Sequence, residues 1–285
     1  MVTFIVAAII GVGVGIMSGL LGVGGGMIMV PVFRLALGLP PVVSTGTSLF
    51  TIIPTSISGA ATHIRKKTCI LGLGIAMGIG GACTSPLGVW LAQIAPGWVI
   101  MAAAAAVLAY SGYTTLRKAL KAPKRNQAQK EDSGNPAASS AASAVATSTT
   151  NDASAPQIPS TPPTIAKAIL IGIIAGVASG FVGVGGGFIM VPLMTMLFDM
   201  PMKLTSGTSL VAVVILAIPG AITQCFFGNV DYLISIAVAC GSIPGAYLGA
   251  RLVSRISERG LRFAFAAFLG IAAILLLVKE TGVLA

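Results

Sequence analysis

The stretch GVGVGIMSGLLGVGGGMIMVP at residues 11–31 returns as GIIAGVASGFVGVGGGFIMVP at residues 172–192, with 13 of 21 positions identical at a constant offset of 161 and no gap. The chain is an internal duplication. The same offset pairs Pro40 with Pro201, Gly46-Thr47-Ser48-Leu49 with Gly207-Thr208-Ser209-Leu210, Gly59-Ala60 with Gly220-Ala221, Gly80 with Gly241, and Leu87-Gly88 with Leu248-Gly249. What survives between the copies is mostly glycine, proline and small hydroxyl residues, which preserve backbone freedom, close approach and polar contact rather than bulk. The repeat points to a site.

Hydrophobic residues make up 55% of the chain and charged residues 8%, and mean hydropathy is +0.97, whereas about a quarter of a soluble domain is charged. Uncharged stretches recur at 1–33, 35–62, 68–116, 168–198, 204–230, 232–250 and 263–278, and the longer ones exceed the roughly 20 residues a helix needs to cross the hydrocarbon. The expected fold is an all-α, multi-pass integral membrane protein. Spanning segments must satisfy their own backbone, and the alternating dyads of a membrane barrel are absent.

About eight principal transmembrane elements are expected, four in each of two homologous repeats. In the first repeat, residues 1–120, they are Thr3–Leu37 interrupted at Gly22–Gly26, Ser44–Ile64, Ile70–Gln93 and Trp98–Leu120. In the second, residues 164–285, they are Ile165–Phe198 interrupted at Gly183–Gly187, Thr205–Phe227, Tyr232–Ser254 and Leu261–Val278. Residues 121–163 read as a disordered Ala/Ser/Thr/Pro-rich linker that buries too little apolar area to offset the entropy of ordering. The apolar N-terminus is expected in the mature fold, because residues 11–31 are one copy of a mid-chain element and no basic residue precedes them. Cys69, Cys83, Cys225 and Cys240 lack metal or redox spacing and are expected to be buried structural thiols.

If each half crosses four times, the halves are parallel and both termini share a side with the linker. Eleven basic residues would then lie on that side (Arg65, Lys66, Lys67, six from Arg117 to Lys130, Lys167, Lys279), against six opposite: Arg34, Lys203, Arg251, Arg255, Arg259 and Arg262. The excess favours cytoplasmic termini in the inner cell membrane.

The runs Gly22-Val23-Gly24-Gly25-Gly26 and Gly183-Val184-Gly185-Gly186-Gly187 carry the strongest chemical signal. Each glycine costs about 1 kcal/mol against alanine inside a helix, so two matched runs are breaks. Paired broken segments in corresponding halves point to a transporter's substrate site, because irregular backbone at membrane depth needs a protein or polar cavity around it. Gly11, Gly15 and Gly19, spaced four apart, are instead a packing stripe. Neither run has the spacing of a nucleotide fingerprint.

A second paired signal is Ser44-Thr45-Gly46-Thr47-Ser48 with Thr205-Ser206-Gly207-Thr208-Ser209. These residues are expected to open the next helix of each half, where hydroxyls cap and free amides at the positive dipole end seat an anion.

On these residues the chain resembles the TauE/SafE sulfite exporter family. The resemblance rests on Gly22–Gly26 with Pro31, on Thr45–Leu49, on Gly59–Arg65, and on the second copies at Gly183–Pro192 and Ser206–Leu210. It covers the chain except the linker. It implies a secondary transporter in the cytoplasmic membrane that moves sulfite, sulfonates or related small organic anions. The chain departs from the usual pattern in its long central loop and in carrying Gln224-Cys225 where the first half has His63-Ile64.

The residues themselves favour an anion. Outside the linker the acidic residues are Asp199, Asp231, Glu258 and Glu280, all near expected helix ends, whereas a midplane cation site wants a carboxylate. The expected substrate-binding set is Gly22, Gly24, Gly25, Gly26, Thr45, Gly46, Thr47 and Ser48 with Gly183, Gly185, Gly186, Gly187, Ser206, Gly207, Thr208 and Ser209. Pro31, Pro192, His63 and Gln224 are candidates for gating or coupling, although His63 reads first as an interfacial or packing histidine. No cofactor, metal or nucleic acid is implied, and the partners are a small anion and the bilayer, with a homo-oligomer left open. The direction expected is export, the alternative being an uptake permease for a sulfonate or other small organic anion. A membrane-embedded enzyme would need a nucleophile, metal cluster or acid–base pair, and a scaffold would need no polar breaks.

Overall fold

A computed structural model describes residues 2–121, 162–198 and 200–252, and isolated residues between 260 and 278. The expected linker therefore lies outside the described residues except at its edges, as does most of the element expected at Leu261–Val278. All regular structure among the described residues is helical: α1 Val2–Leu21, α2 Gly26–Leu35, α3 Pro41–Arg65, α4 Leu71–Ile94, α5 Gly97–Lys121, α6 Pro162–Val182, α7 Gly187–Leu197, α8 Met202–Phe226 and α9 Tyr232–Leu252. Leu71–Ile94, Thr164–Val182, Lys203–Phe226 and Tyr232–Leu252 are long and apolar enough to cross a membrane.

The two glycine runs break the chain where expected, between α1 and α2 and between α6 and α7. α3 and α8 begin earlier than expected. Pro40 and Pro201 are their N-caps, with φ of −56° and −62°, and no side chain caps either helix. Proline at a helix entrance is already in a compatible φ and lacks only an amide that would go unbonded there. The hydroxyl clusters thus lie inside the helices. Their amides are consumed: Ser44 N donates to Pro40 O at 2.8 Å, and Thr205 N to Pro201 O at 3.1 Å.

α3 is polar because it is central. Ser44, Thr45, Thr47, Ser48, Thr51, Thr55 and Ser56 are all buried, and Thr51 and Thr55 return their hydroxyls to the carbonyls of Thr47 and Thr51 at 2.8 and 2.9 Å. Around it, small-residue seams bring backbones together. A Cβ at Gly11, Gly15 or Gly19 of α1 would strike the carbonyl oxygens of Val238, Ser242 and Ala246 of α9, and one at Gly172, Gly176 or Gly180 of α6 those of Met77, Gly81 and Ser85 of α4. Each contact of one seam is the other shifted by 161.

Contacts between helix ends overturn the expectation of parallel halves. At the end of α3, His63 Nε2 meets the carbonyl of Gly19 at the end of α1 (3.3 Å), and Lys66 Nζ donates to the carbonyl of Arg251 at the end of α9 (2.8 Å). So α1, α3 and α9 finish together, while α4 departs from that end and α6 runs beside it in the same sense. The halves are antiparallel. The reason is the glycine break: α2 starts beside Ile52, midway along α3, and its far end joins the start of α3 through residues 36–40. The broken element is a hairpin that returns to the side it came from, which leaves an odd number of crossings before the next copy.

This reassigns the charges. Arg65, Lys66, Lys67, Arg117, Lys167, Lys203 and Arg251 stand at one end of the bundle, here the basic end, and Arg34 at the other. The cysteines meet the expectation of burial only in part: Cys69 is buried and Cys225 half-buried, whereas Cys83 and Cys240 are exposed on α4 and α9. An apolar bilayer hosts a thiol as readily as a core does, so burial within protein is not needed there. Between the helices, burial pushes the Cys69 thiol up, which keeps it protonated and unreactive.

Candidate functional site

The two breaks meet at the centre of the bundle. Gly22, Gly24 and Gly25 have φ of 74°, 79° and 84°, and Gly183, Gly185 and Gly186 have 76°, 80° and 70°. This left-handed backbone costs a non-glycine residue about 1–2 kcal/mol. Close approach adds to the constraint, since a Cβ at Gly26 would touch the carbonyl of Val184 and one at Gly187 the Cα of Val23. Ile52 of α3 and Val213 of α8 both lie against Gly24 and against Gly185.

Two kinds of unused donor collect there. The amides of Val23, Gly24 and Gly25, and of Val184, Gly185 and Gly186, make no hydrogen bond among the described residues. Two hydroxyls beside them, Ser18 and Ser56, are buried and unpaired, as are Ser48 and Ser179 elsewhere on α3 and α6. A Cβ at Gly24 would stand 2.9 Å from Ser56 Oγ, and one at Gly25 would stand 3.4 Å from Ser18 Cβ. A buried polar group without a partner costs about 1–3 kcal/mol, so a cluster of them is a place where something else is bonded. Every group named here is a neutral donor.

Of the expected site residues, the structure brings the glycines of both breaks together and sets the backbones of Thr45 and Ser206 against Gly183 and Gly22. Ser209 also reaches the break, donating to Gly22 O at 2.5 Å, and Ser206 Oγ donates to Leu21 O at 3.2 Å. Thr47 and Thr208 are spent elsewhere: their hydroxyls accept from the amides of Asp231 and Ile70, each at 3.0 Å, and anchor the starts of α9 and α4. Gly46 and Gly207 admit the carbonyls of Asn229 and Thr68. Pro31 and Pro192 are buried inside α2 and α7.

His63 is fully buried, the packing alternative of its reading and not the interfacial one. A carbonyl only accepts, so Nε2 carries the proton toward Gly19 O, and Nδ1 faces Thr68 Oγ1 at 2.8 Å. Its counterpart Gln224 accepts at Oε1 from Asn229 Nδ2 at 3.0 Å and from Gln93 at 3.5 Å, while its Nε2 is buried and unpaired. Sequence reasoning passed over Ser18, Ser179 and Ser56. The first two were legible as identities within the quoted repeat; Ser56 has Ala217 as its counterpart and gave no signal.

A separate cavity of about 380 Å³ between α3 and α8 is lined by Phe50, Ile53, Ile218, Ala221, Ile222, Cys225 and Phe226. Its lining is apolar apart from the Cys225 thiol, a weak donor.

The sequence matches the family described as sulfite exporter TauE/SafE over residues 7–276. The chain belongs to this family. Among curated proteins, TauE/SafE-type similarity extends to the probable membrane transporter protein YdhB of Bacillus subtilis, 28% identical over 92% of this chain and 96% of that one. It extends also to the probable membrane transporter protein YunE of the same species, 26% identical over 90% and 89%. The archaeal probable membrane transporter protein MJ0441 of Methanocaldococcus jannaschii is 25% identical over 95% and 94%. No solved structure matches. A TauE/SafE member is a membrane transporter and not an enzyme.

Proposed function

We propose that the chain is a secondary transporter that exports small sulfur-containing anions, sulfite or organosulfonates, and binds them at the membrane midplane between the two glycine loops. The observation that carries this reading is the meeting of two loops whose amides are unbonded beside buried, unpaired serine hydroxyls. Such donors solvate a sulfur oxyanion without fixing it through a salt bridge, and weak, reversible binding suits turnover. Gly22, Gly24–Gly26, Gly183 and Gly185–Gly187 supply the cradle, Ser18 and Ser56 the hydroxyls, Ser206 and Ser209 hold the first loop, and Thr45 packs against the second.

The proposed architecture is two inverted four-element repeats, residues 1–120 and 164–285, joined by 121–163. The pairwise identity of the two helix seams under the 161 shift supports it. The proposed location is the cytoplasmic membrane, with the basic end inside: Arg65, Lys66, Lys67, Arg117, Lys167, Lys203 and Arg251 against Arg34 make seven to one. With that orientation, outward movement of a monoanion gains about 2.3 kcal/mol per 100 mV of inside-negative potential.

The test is exchange of labelled sulfite or methanesulfonate in proteoliposomes. Saturable exchange by the wild type, lost in Gly24→Val, is expected. Wild-type flux no greater than in empty liposomes would remove the anion reading.

A further inference from the structure

Three bonds from other helices close the end of α1. The carbonyls of Gly19, Leu21 and Gly22 accept from His63 Nε2, Ser206 Oγ and Ser209 Oγ at 3.3, 3.2 and 2.5 Å. These are last-turn carbonyls that a broken helix leaves without an intrahelical donor. Shifting every residue by 161 predicts the same closure at the end of α6, with Gly180, Val182 and Gly183 as acceptors and Gln224, Thr45 and Ser48 as donors.

That second closure is not made. Gln224 Nε2 and Ser48 Oγ are buried without a partner, and Thr45 Oγ1 turns back to Val42 O at 2.7 Å within its own helix. Thr45 is nevertheless in place, since Gly183 lies against its backbone. One half of a symmetric device is fastened, and its twin stands open beside it.

We propose that the two sets are exchangeable latches of the transport cycle, a proposal that rests on the transport reading above. His63, Ser206 and Ser209 fasten the first loop toward the basic end, and the structure is the state closed on that side. In the opposite state Gln224, Thr45 and Ser48 fasten the second loop through Gly180, Val182 and Gly183, and the first latch lets go. The two loops touch at Gly26 with Val184 and at Gly187 with Val23, so a shift of one is felt by the other. Near-equal packings related by internal symmetry are what a two-state carrier requires.

Ser209→Ala weakens the fastened latch and Ser48→Ala weakens the open one. A carrier's apparent affinity on one face scales with the population open to that face, and one net hydrogen bond is worth about fivefold in that population. In oriented proteoliposomes, the half-saturating sulfite concentration at the basic face should therefore fall about fivefold in Ser209→Ala and rise about fivefold in Ser48→Ala. The double variant should return near the wild type. Hydrogen exchange, which needs no substrate, should show amides 19–26 less protected and 180–187 more protected in Ser209→Ala, with the reverse in Ser48→Ala. Opposite exchange shifts without any sulfite flux would keep the latches and discard the anion. Shifts of the same sign in both variants, or none, would overturn the latches whatever the flux.

Discussion

Ile52 and Val213 stand at the same position of the two halves and share the same two neighbours, Gly24 and Gly185. The centre of the molecule is therefore built from both copies, with apolar walls from α3 and α8 and polar donors from the loops. Ser56, next to Gly24, breaks the symmetry, because its counterpart is Ala217.

Replacing Ser56 by alanine should separate stability from function. The hydroxyl is buried and unpaired, so its removal is expected to raise stability by about 1 kcal/mol, within the usual range for relieving such a group. Anion affinity should fall at the same time. Thermal unfolding in detergent and half-saturation in proteoliposomes read the two effects, and a stabilised variant with wild-type affinity would take Ser56 out of the site.

Gly15 and Gly13 make a matched pair for the helix seam. A Cβ at Gly15 would strike the backbone of Ser242, whereas nothing lies within 4 Å of one at Gly13. Gly15→Ala should lower the melting temperature and the yield of folded protein. Gly13→Ala should be neutral or stabilising by up to about 1 kcal/mol, from helix propensity alone. Equal effects would mean that α1 and α9 do not pack as described.

Membrane orientation follows from the antiparallel halves. In a cysteine-free chain, a single cysteine at Leu37, between α2 and α3, should react with an impermeant thiol reagent from the outside of intact cells. One placed at Phe198, its counterpart 161 residues on, between α7 and α8, should react only after the cytoplasm is opened. Labelling of both from the same side would restore parallel halves.

His63 gives the first latch a titratable member. On protonation Nδ1 can donate to Thr68 Oγ1, whose own hydrogen turns to His63 O at 3.2 Å, so no acceptor is lost. Full burial and the neighbouring Lys66 disfavour that charge more than the dipole at the end of α1 favours it. Acid should therefore loosen the first latch, and half-saturation at the basic face should fall as pH falls. His63→Gln, which copies Gln224 of the other half, should transport with a flat pH profile; an unchanged slope in that variant would remove His63 from the latch.

For the driving force, an imposed potassium-diffusion potential of 100 mV, negative inside, should accelerate outward flux of a monoanion, consistent with the gain of about 2.3 kcal/mol per charge. Flux that answers a pH gradient and ignores the potential would replace potential-driven movement by proton coupling, with His63 as the site to test next.

The helices, their two glycine breaks and the duplication were legible in the chain because each is a local property. A run of glycines costs helix stability wherever it falls, and a charge-free stretch of 20 residues needs lipid or core around it whatever it packs against. Even the packing stripe Gly11, Gly15, Gly19 could be read from spacing. The sense of the second half could not. It depends on whether the chain crosses or turns back at Gly22–Gly25, and sequence hydropathy is the same for both. The burial of His63, the diversion of Thr47 and Thr208 to the starts of other helices, and the difference between Ser209 and Ser48 are likewise decided by contacts between segments distant in the chain, 44 residues for His63 with Gly19 and 187 for Ser209 with Gly22. A hydroxyl's partner is set by which carbonyl the folded bundle brings within 3.5 Å of it, and only the tertiary structure holds that information.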